Sequence, residues 1–353
     1  MSSLGERIAR QIAASGPLSV AQFMALALLD PKEGYYRRAE ALGRAGDFIT
    51  APEVSQVFGE LLGIWCIEQW HRLGEPRPFK LIELGPGRGT LAADVLRALR
   101  LRPELLEGLE VHLVEVNETL RQQQRCVLRN ASVTWHENLE AVPTGPFALI
   151  ANEFFDALPI RQFERAPDSW CERLVALDAA GALAFTLSGP VPQAVIPEGC
   201  RLAPPGSVIE VASGGEALAA QVAERVCTGP GAALIIDYGY IDAPLKGTLQ
   251  AVRKHAKVDP LSEPGTTDLS AQVDFAALSL AARRAGAAVR RPVTQRDFLY
   301  AMGARERFER LRKANPAQYA KFIGQEQRLT APQQMGTLFK VMAILPPREG
   351  ARP

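Results

Sequence analysis

The sequence predicts an α/β fold built on a seven-strand sheet, with a helical segment in front of it and a smaller subdomain inserted into it. Three observations predict this. Apolar runs of strand length alternate with helical stripes from Lys80 onward. The first run, Leu81-Ile82, enters the glycine turn Gly85-Pro86-Gly87-Arg88-Gly89, and a helical pattern leaves it. Two further runs, 287–293 and 338–345, close the chain. Strand, glycine turn and helix together open a nucleotide-binding α/β unit. A dinucleotide dehydrogenase would normally have six parallel strands, without that closing pair.

Each element has its own justification. Leu4, Ile8 and Ile12 form a helical stripe over residues 4–14, which Gly16-Pro17 ends. Ser19 with Gln22 makes a capping box for a helix over Val20–Leu29, and Pro31 stops it. Glycines then punctuate the chain up to Glu53. From there Val57, Leu61, Ile64, Trp65 and Ile67 give a helix through Trp70. Residues 46–53 are a polar and aromatic loop, with Pro52 suited to a first helical turn. Past the glycine turn, Leu91, Val95, Leu96 and Leu99 share one face of a helix that Thr90 can cap, running to about Leu101. The second strand is 111–115, a helix follows at 120–128, and the third and fourth strands are 131–135 and 147–151. Residues 161–229 differ in texture. The runs 171–177 and 183–187 read as a small β-meander, and 210–227 as a helix. The fifth strand is 232–237. A polar, loop-rich stretch, 247–275, leads into a helix ending near Gly286, and 296–327 is a helical excursion between the last two strands. The expected division is an N-terminal helical lid segment (1–75), two halves of the sheet domain (76–160 and 230–345), an inserted subdomain (161–229) and a disordered tail (346–353).

Composition narrows the class. Of 353 residues, 47% are apolar and 22% charged, which suits a globular protein. Forty Lys plus Arg against 39 Asp plus Glu leave a formal charge of +1, so bulk charge does not point to nucleic acid or a membrane surface. Five scattered cysteines without a C-x-x-C pair read as reduced thiols of a cytosol-like compartment. The four histidines form no local cluster, and no metal site is expected. No apolar stretch approaches the roughly 20 residues that span a bilayer. The first 16 residues lack the apolar core of a secretory signal.

The candidate site follows from the strand ends. The glycines are spaced G-x-G-x-G, and Glu83 lies two residues before the first of them. Both features favour S-adenosylmethionine (SAM), whose ammonium wants a nearby carboxylate, over the pyrophosphate of a dinucleotide. Glu83, Gly85, Pro86, Gly87 and Gly89 are therefore cofactor candidates. Glu115 ends the second strand, where an acid can bond ribose hydroxyls. Asn138 and Leu139 lie just past the third strand, where an adenine ring would be bracketed. The fourth strand runs beside the first and ends in Asn152-Glu153-Phe154-Phe155-Asp156. Its polar side chains make poor core and a plausible active-site loop, so Asn152, Glu153 and Asp156 are catalytic candidates, and Asn152 is a cofactor candidate as well. Asp47, Phe48, Thr50 and Glu53 are expected to meet the substrate from the N-terminal lid.

Several segments together resemble one family. They are GPLSVAQFMALALLDPKEGYY, GDFITAPEVSQVFGELLGIW, LIELGPGRGTL, ANEFFDALPI, LIIDYGY and KHAKVDPLSEPGTTDLSAQVDF. The family is that of the MidA-type SAM-dependent methyltransferases, bacterial relatives of a mitochondrial complex I assembly factor that methylates an arginine. The resemblance covers nearly the whole chain, about 18–345, and GDFITAPE and NEFFDALP are its most diagnostic parts. It implies a class I, Rossmann-like methyltransferase with SAM as cofactor. The implied acceptor is a protein arginine on the 49-kDa-type subunit of respiratory complex I. The implied location is cytoplasmic in bacteria and the mitochondrial matrix for eukaryotic relatives. One position departs from the family pattern: Gln272 stands where a histidine commonly precedes Val-Asp-Phe.

Methylating an arginine requires a carboxylate to pair with the guanidinium and take its proton. Glu153 and Asp156 stand where it is wanted, with Asp47 and Glu53 next. Two alternatives stay open. One is a non-catalytic SAM-fold assembly factor; the other is a methyltransferase for a different small-molecule or protein acceptor. The intact set of Glu83, Gly85, Gly87, Gly89 and Glu115 favours catalysis, since a pure binding module has no need of a cofactor pocket. A loop of the N-P-P-Y type is absent, which weighs against nucleic acid.

Overall fold

Among the described residues nine strands pair into the main sheet, two of them short ones at its margin, Val273–Asp274 and Val293–Thr294; the seven in its main run are β1 Phe79–Leu84, β2 Leu109–Val114, β3 Val133–His136, β4 Phe147–Asn152, β5 Gly231–Tyr240, β6 Ala288–Val289 and β7 Phe339–Leu345. Their order is β3-β2-β1-β4-β5-β7-β6, and β7 alone runs antiparallel to its neighbours. This computed structural model describes residues 3–37, 50–253 and 256–347. Asp47, Phe48 and the tail from residue 348 lie outside the described residues.

β1 and β4 are buried at every position because helices cover both faces of the sheet. On one face lie the helices Gln56–Arg72 and Thr90–Leu99 with the C-terminal helical excursion, whose core includes Phe58, Trp70 and Phe308. Each large apolar side chain buried there contributes about 1.5–3 kcal/mol. Those first two helices cross closely. A Cβ on Gly59 would come within 2.5 Å of the Asp94 Cβ, so a larger residue would push them apart. On the other face pack the helices Ser213–Thr228 and Phe275–Arg284, with Val222 and Phe275 fully buried.

The structure corrects several expectations. The helix at 90 is capped by Gly89 in a left-handed conformation (φ 83°), and Thr90 makes no cap bond. The helix expected from 210 begins at Ser213, because Val208–Val211 is a strand. Arg290, Arg291 and Pro292 separate the sixth run into β6 and a second short strand, Val293–Thr294. The stretch 247–275 holds a three-stranded sheet made of Gln250–Arg253, Ala256–Val258 and Asp268–Ser270. Runs of three or four residues among loop-forming neighbours carry too little periodicity to be seen in sequence.

The inserted region forms its own antiparallel sheet from Arg161–Arg165, Trp170–Leu177, Leu183–Pro190 and Val208–Val211. An edge strand comes from the N-terminus, with Leu18 opposite Val175. The N-terminal helices Leu4–Ser15 and Val20–Leu29 both open with capping boxes and share a core with that sheet, including Phe23, Met24, Val175 and Leu269. Arg7 clamps Asp30 through two bonds of 2.9 and 2.8 Å, which holds that buried carboxyl well below the usual carboxylate range. N-terminal segment, inserted sheet and the 250–271 strands thus make one roof. The helix Ser213–Thr228 belongs by packing to the main sheet.

Candidate active site

The glycine turn folds as it does because three of its residues sit at positive φ: Gly85 at 62°, Gly87 at 53° and Gly89 at 83°. At Gly85 the constraint is doubled. A Cβ there would fall 2.5 Å from the Phe154 ring, so the missing side chain makes room for the loop after β4. The turn is tied down by Gln124, which is fully buried. Its Nε2 donates to the Gly87 carbonyl (2.6 Å) and to Glu115 Oε2 (3.3 Å), and its Oε1 accepts from Trp135 Nε1 (2.7 Å). One amide thereby links the turn, the end of β2 and β3. Sequence reasoning missed Gln124. The available signal was a polar residue spaced between Leu120 and Leu128 on the buried stripe of its helix.

A cavity of ≈ 320 Å³ opens beyond the carboxyl ends of β1, β2 and β4. Glu83, Gly85, Pro86, Gly87 and Glu115 line one side, and Asn152 and Glu153 another. Thr50 and Glu53 reach it from the N-terminal block, joined by Tyr36, which the sequence did not single out. The block is bonded to the strand end. Arg37 donates to the Val116 carbonyl (3.1 Å), and Asn117 Nδ2 donates to the Tyr36 carbonyl. Gly89 backs onto Gln124 instead of the cavity. Asn138 and Leu139 are also elsewhere: Asn138 Oδ1 accepts from Ala141 N–H (2.9 Å), and Leu139 is buried in the core. Glu137 takes the wall position past β3.

Burial and the neighbouring Glu115 push Glu83 up to about 8, against a smaller opposing effect of the Ala92 amide. Burial raises Glu115 too, although its Oε1 accepts from Asn117 N–H at 2.8 Å. At the end of β4, Glu153 holds φ 51°, a conformation uncommon outside glycine and kept by its surroundings. Its N–H donates to the Ile236 carbonyl (2.9 Å). Its Oε1 accepts from Ala51 N–H (2.9 Å) and Asn152 Nδ2 (3.2 Å). Burial brings it to about 7.

Asp156 is not on the cavity wall. It is hydrogen-bonded by Tyr238 and raised by burial to about 6. Asp237, which the sequence reading passed over, organises this loop. Its Oδ2 accepts from the N–H groups of Phe154 (3.1 Å), Phe155 (2.9 Å) and Asp156 (3.1 Å), and its Oδ1 from Tyr238 N–H (2.9 Å). Burial beside Asp156 and Glu153 pushes Asp237 up, and these amides draw it back.

Residues 61–293 match a family described as "Putative S-adenosyl-L-methionine-dependent methyltransferase". The chain belongs to this methyltransferase family. Its relatives include the zebrafish (Danio rerio) protein arginine methyltransferase NDUFAF7, mitochondrial, which is 38% identical over 97% of this chain and 87% of that protein. The human NDUFAF7 is 36% identical over 95% and 82%. A Burkholderia thailandensis "likely methyl transferase", crystallised with S-adenosyl-homocysteine, superposes with a TM-score of 0.86 at 30% identity, covering 97% of this chain and 91% of that one. The methyltransferase is therefore SAM-dependent, with the strand order of the class I fold, and the family expected from the motifs is the one found.

The cavity of this methyltransferase fits that cofactor. The left-handed glycine turn clears backbone for close approach, and Glu115 stands at the end of β2. Glu83, Pro86, Gly87 and Glu115 would hold the cofactor. Among the described residues no group of three or more His, Cys, Asp or Glu could hold a metal ion, and no helix is long and apolar enough to cross a membrane.

Proposed function

We propose that this methyltransferase modifies an arginine of a protein, on the 49-kDa-type subunit of respiratory complex I, and thereby assists assembly of that complex. The observation that carries the reading is Glu153 at the end of β4, a buried carboxyl fixed by backbone strain and hydrogen bonds on the wall of the cofactor cavity. The relatives named as protein arginine methyltransferases support the same acceptor. As a bacterial counterpart of relatives named mitochondrial, the protein would act in the cytoplasm.

When bound, SAM supplies an electrophilic methyl group on a sulfonium. The chain's own task is to align a nitrogen with it, exclude water and take a proton. A guanidinium is protonated at any ordinary pH, so forming the N–C bond as the S–C bond breaks releases one proton from that nitrogen. Glu153, near 7 before a cation arrives, orients the guanidinium by a charge-assisted bond and accepts the proton. The N-terminal block covers the site through Tyr36 and Thr50.

Mass spectrometry of the purified acceptor subunit, incubated with SAM and the protein, tests this reading. A methylated arginine is expected. Glu153→Gln should lower its formation at least roughly tenfold, with S-adenosylhomocysteine affinity unchanged within about twofold. Wild-type rates from Glu153→Gln would remove the acceptor site from this strand end. Methyl incorporation confined to another residue type would remove the arginine.

A further inference from the structure

We propose that Glu53, carried by the short helix Ala51–Val54, is the second carboxylate that grips the acceptor guanidinium, facing Glu153 across the cavity mouth. The inference rests on the arginine reading given above and adds to it the group that confers selectivity for arginine.

Geometry brings Glu53 there. The first amide of its helix, Ala51 N–H, donates to Glu153 Oε1 at 2.9 Å, so the helix is docked directly on the end of β4. Both side chains line the same cavity, and the Glu53 charge is felt at Glu153. On the other side, Glu53 Oε1 lies 3.7 Å from Arg88 Nη1 on the glycine turn. Glu53 therefore stands between the acceptor end of the cavity and the cofactor end.

The oxygens tell which groups await a ligand. Among the described residues Glu53 Oε2 is buried without a hydrogen-bond partner, and so is Asn152 Oδ1 on a residue only 8% exposed. Both belong to residues lining this cavity. Buried acceptors are ordinarily satisfied, and two orphans among the residues lining one cavity mark a place for donors. Glu153 adds a third acceptor: among the described residues both bonds to its carboxyl fall on Oε1, which leaves Oε2 for a ligand. No single side chain here offers a free two-oxygen fork, but Glu53, Asn152 and Glu153 together offer three oxygens. A guanidinium brings five N–H donors in one plane, more than an ammonium can present, and spreads them widely enough to meet oxygens from separate elements.

Charge points the same way. The walls carry Glu53, Glu83, Glu115, Glu137 and Glu153 against Arg88 alone among the described residues. SAM at neutral pH brings a net charge of +1. Even with Glu83 kept neutral by burial, acidic groups outnumber Arg88 on these walls, which suits a cationic acceptor.

The test uses the full chain saturated with S-adenosylhomocysteine and two small probes, N-acetyl-arginine methylamide and its citrulline counterpart, which replaces the cation with a neutral urea of the same shape. Ligand-observed NMR gives both affinities. Wild-type protein should prefer the arginine probe by at least roughly tenfold, and Glu53→Gln should bring the two within about threefold while S-adenosylhomocysteine affinity stays within about twofold. If Glu53→Gln keeps the full preference, the clamp is overturned and the arginine reading stands. A loss confined to S-adenosylhomocysteine affinity would assign Glu53 to the cofactor and also overturn the clamp. Wild-type protein that does not tell the probes apart would remove the arginine reading and the clamp with it. Should Glu53→Gln melt early, Glu53→Asp decides by the same comparison. A preference cut several-fold supports the clamp, and an undiminished one overturns it.

Discussion

Glu83 shows how burial beside the cavity shapes the behaviour of the protein without ligand. Burial beside Glu115 lifts its carboxyl from an ordinary 4.5 to about 8. Between those values the folded chain holds a proton that the unfolded chain has released. Stability without ligand should therefore fall as pH rises from about 4.5 through 8, at up to about 1.4 kcal/mol per pH unit. Glu83→Gln removes that dependence, so its gain in melting temperature over wild type should grow from pH 5 to pH 9 in calorimetric scans. A difference that stays flat would mean that Glu83 is already ionised in the free protein. The places of Glu83 and Glu115 on the cavity wall were legible in sequence because a sheet of known order fixes which strand ends open on the crevice. Gln124 was not, since its role exists only once the turn, β2 and β3 meet around one amide. Asn138 misled for the opposite reason: its side chain bonds locally to Ala141 N–H, an alternative always open to asparagine after a strand.

The loop after β4 is an element held from outside itself. Its composition announced function, but the group that shapes it, Asp237, comes from the end of β5 and accepts three consecutive loop amides on one oxygen. Such a link crosses more than 80 residues of chain and leaves no local pattern. Asp237→Asn can point its carbonyl at those three amides, but its NH₂ group then faces Tyr238 N–H, donor against donor. The mismatch should cost about 1–3 kcal/mol and loosen the loop. Hydrogen exchange at the amides of Phe154, Phe155 and Asp156 should speed up by at least roughly tenfold. Wild-type protection in the variant would show that the loop is held by the Phe154 packing at Gly85 instead. Other elements divide along the same line. The main strands were readable because they are long and apolar. The short strands of 250–271 exist only through pairing and were not.

At the scale of the whole molecule, the methyltransferase consists of a sheet domain and a roof, and the roof is built from pieces distant in sequence. The N-terminal segment reads as a separate lid, yet it supplies an edge strand to the inserted sheet and half of that sheet's core. Cutting it away would strip the inserted sheet as well, so truncation does not isolate a lid. A point change in the shared core is the sharper probe. Phe23 is fully buried among Met24, Val175 and Leu269, and it does not line the cavity. Phe23→Ala should destabilise the roof by about 3–5 kcal/mol through lost burial and the hole left behind. The main sheet has its own two cores and should keep its amide protection at β1 and β4, while Trp170–Leu177 loses protection. The cavity should feel this without being touched. Tyr36 rides on the roof, and Arg37 and Asn117 fasten it to the end of β2. A roof that opens part of the time leaves the binding-competent form only fractionally populated, and apparent S-adenosylhomocysteine affinity falls by that fraction. Calorimetry on Phe23→Ala should therefore show weaker binding, with the loss tracking the extra exchange in the roof. Wild-type affinity together with a deprotected roof would mean that the sheet edge alone holds the cofactor and that the roof serves the acceptor only.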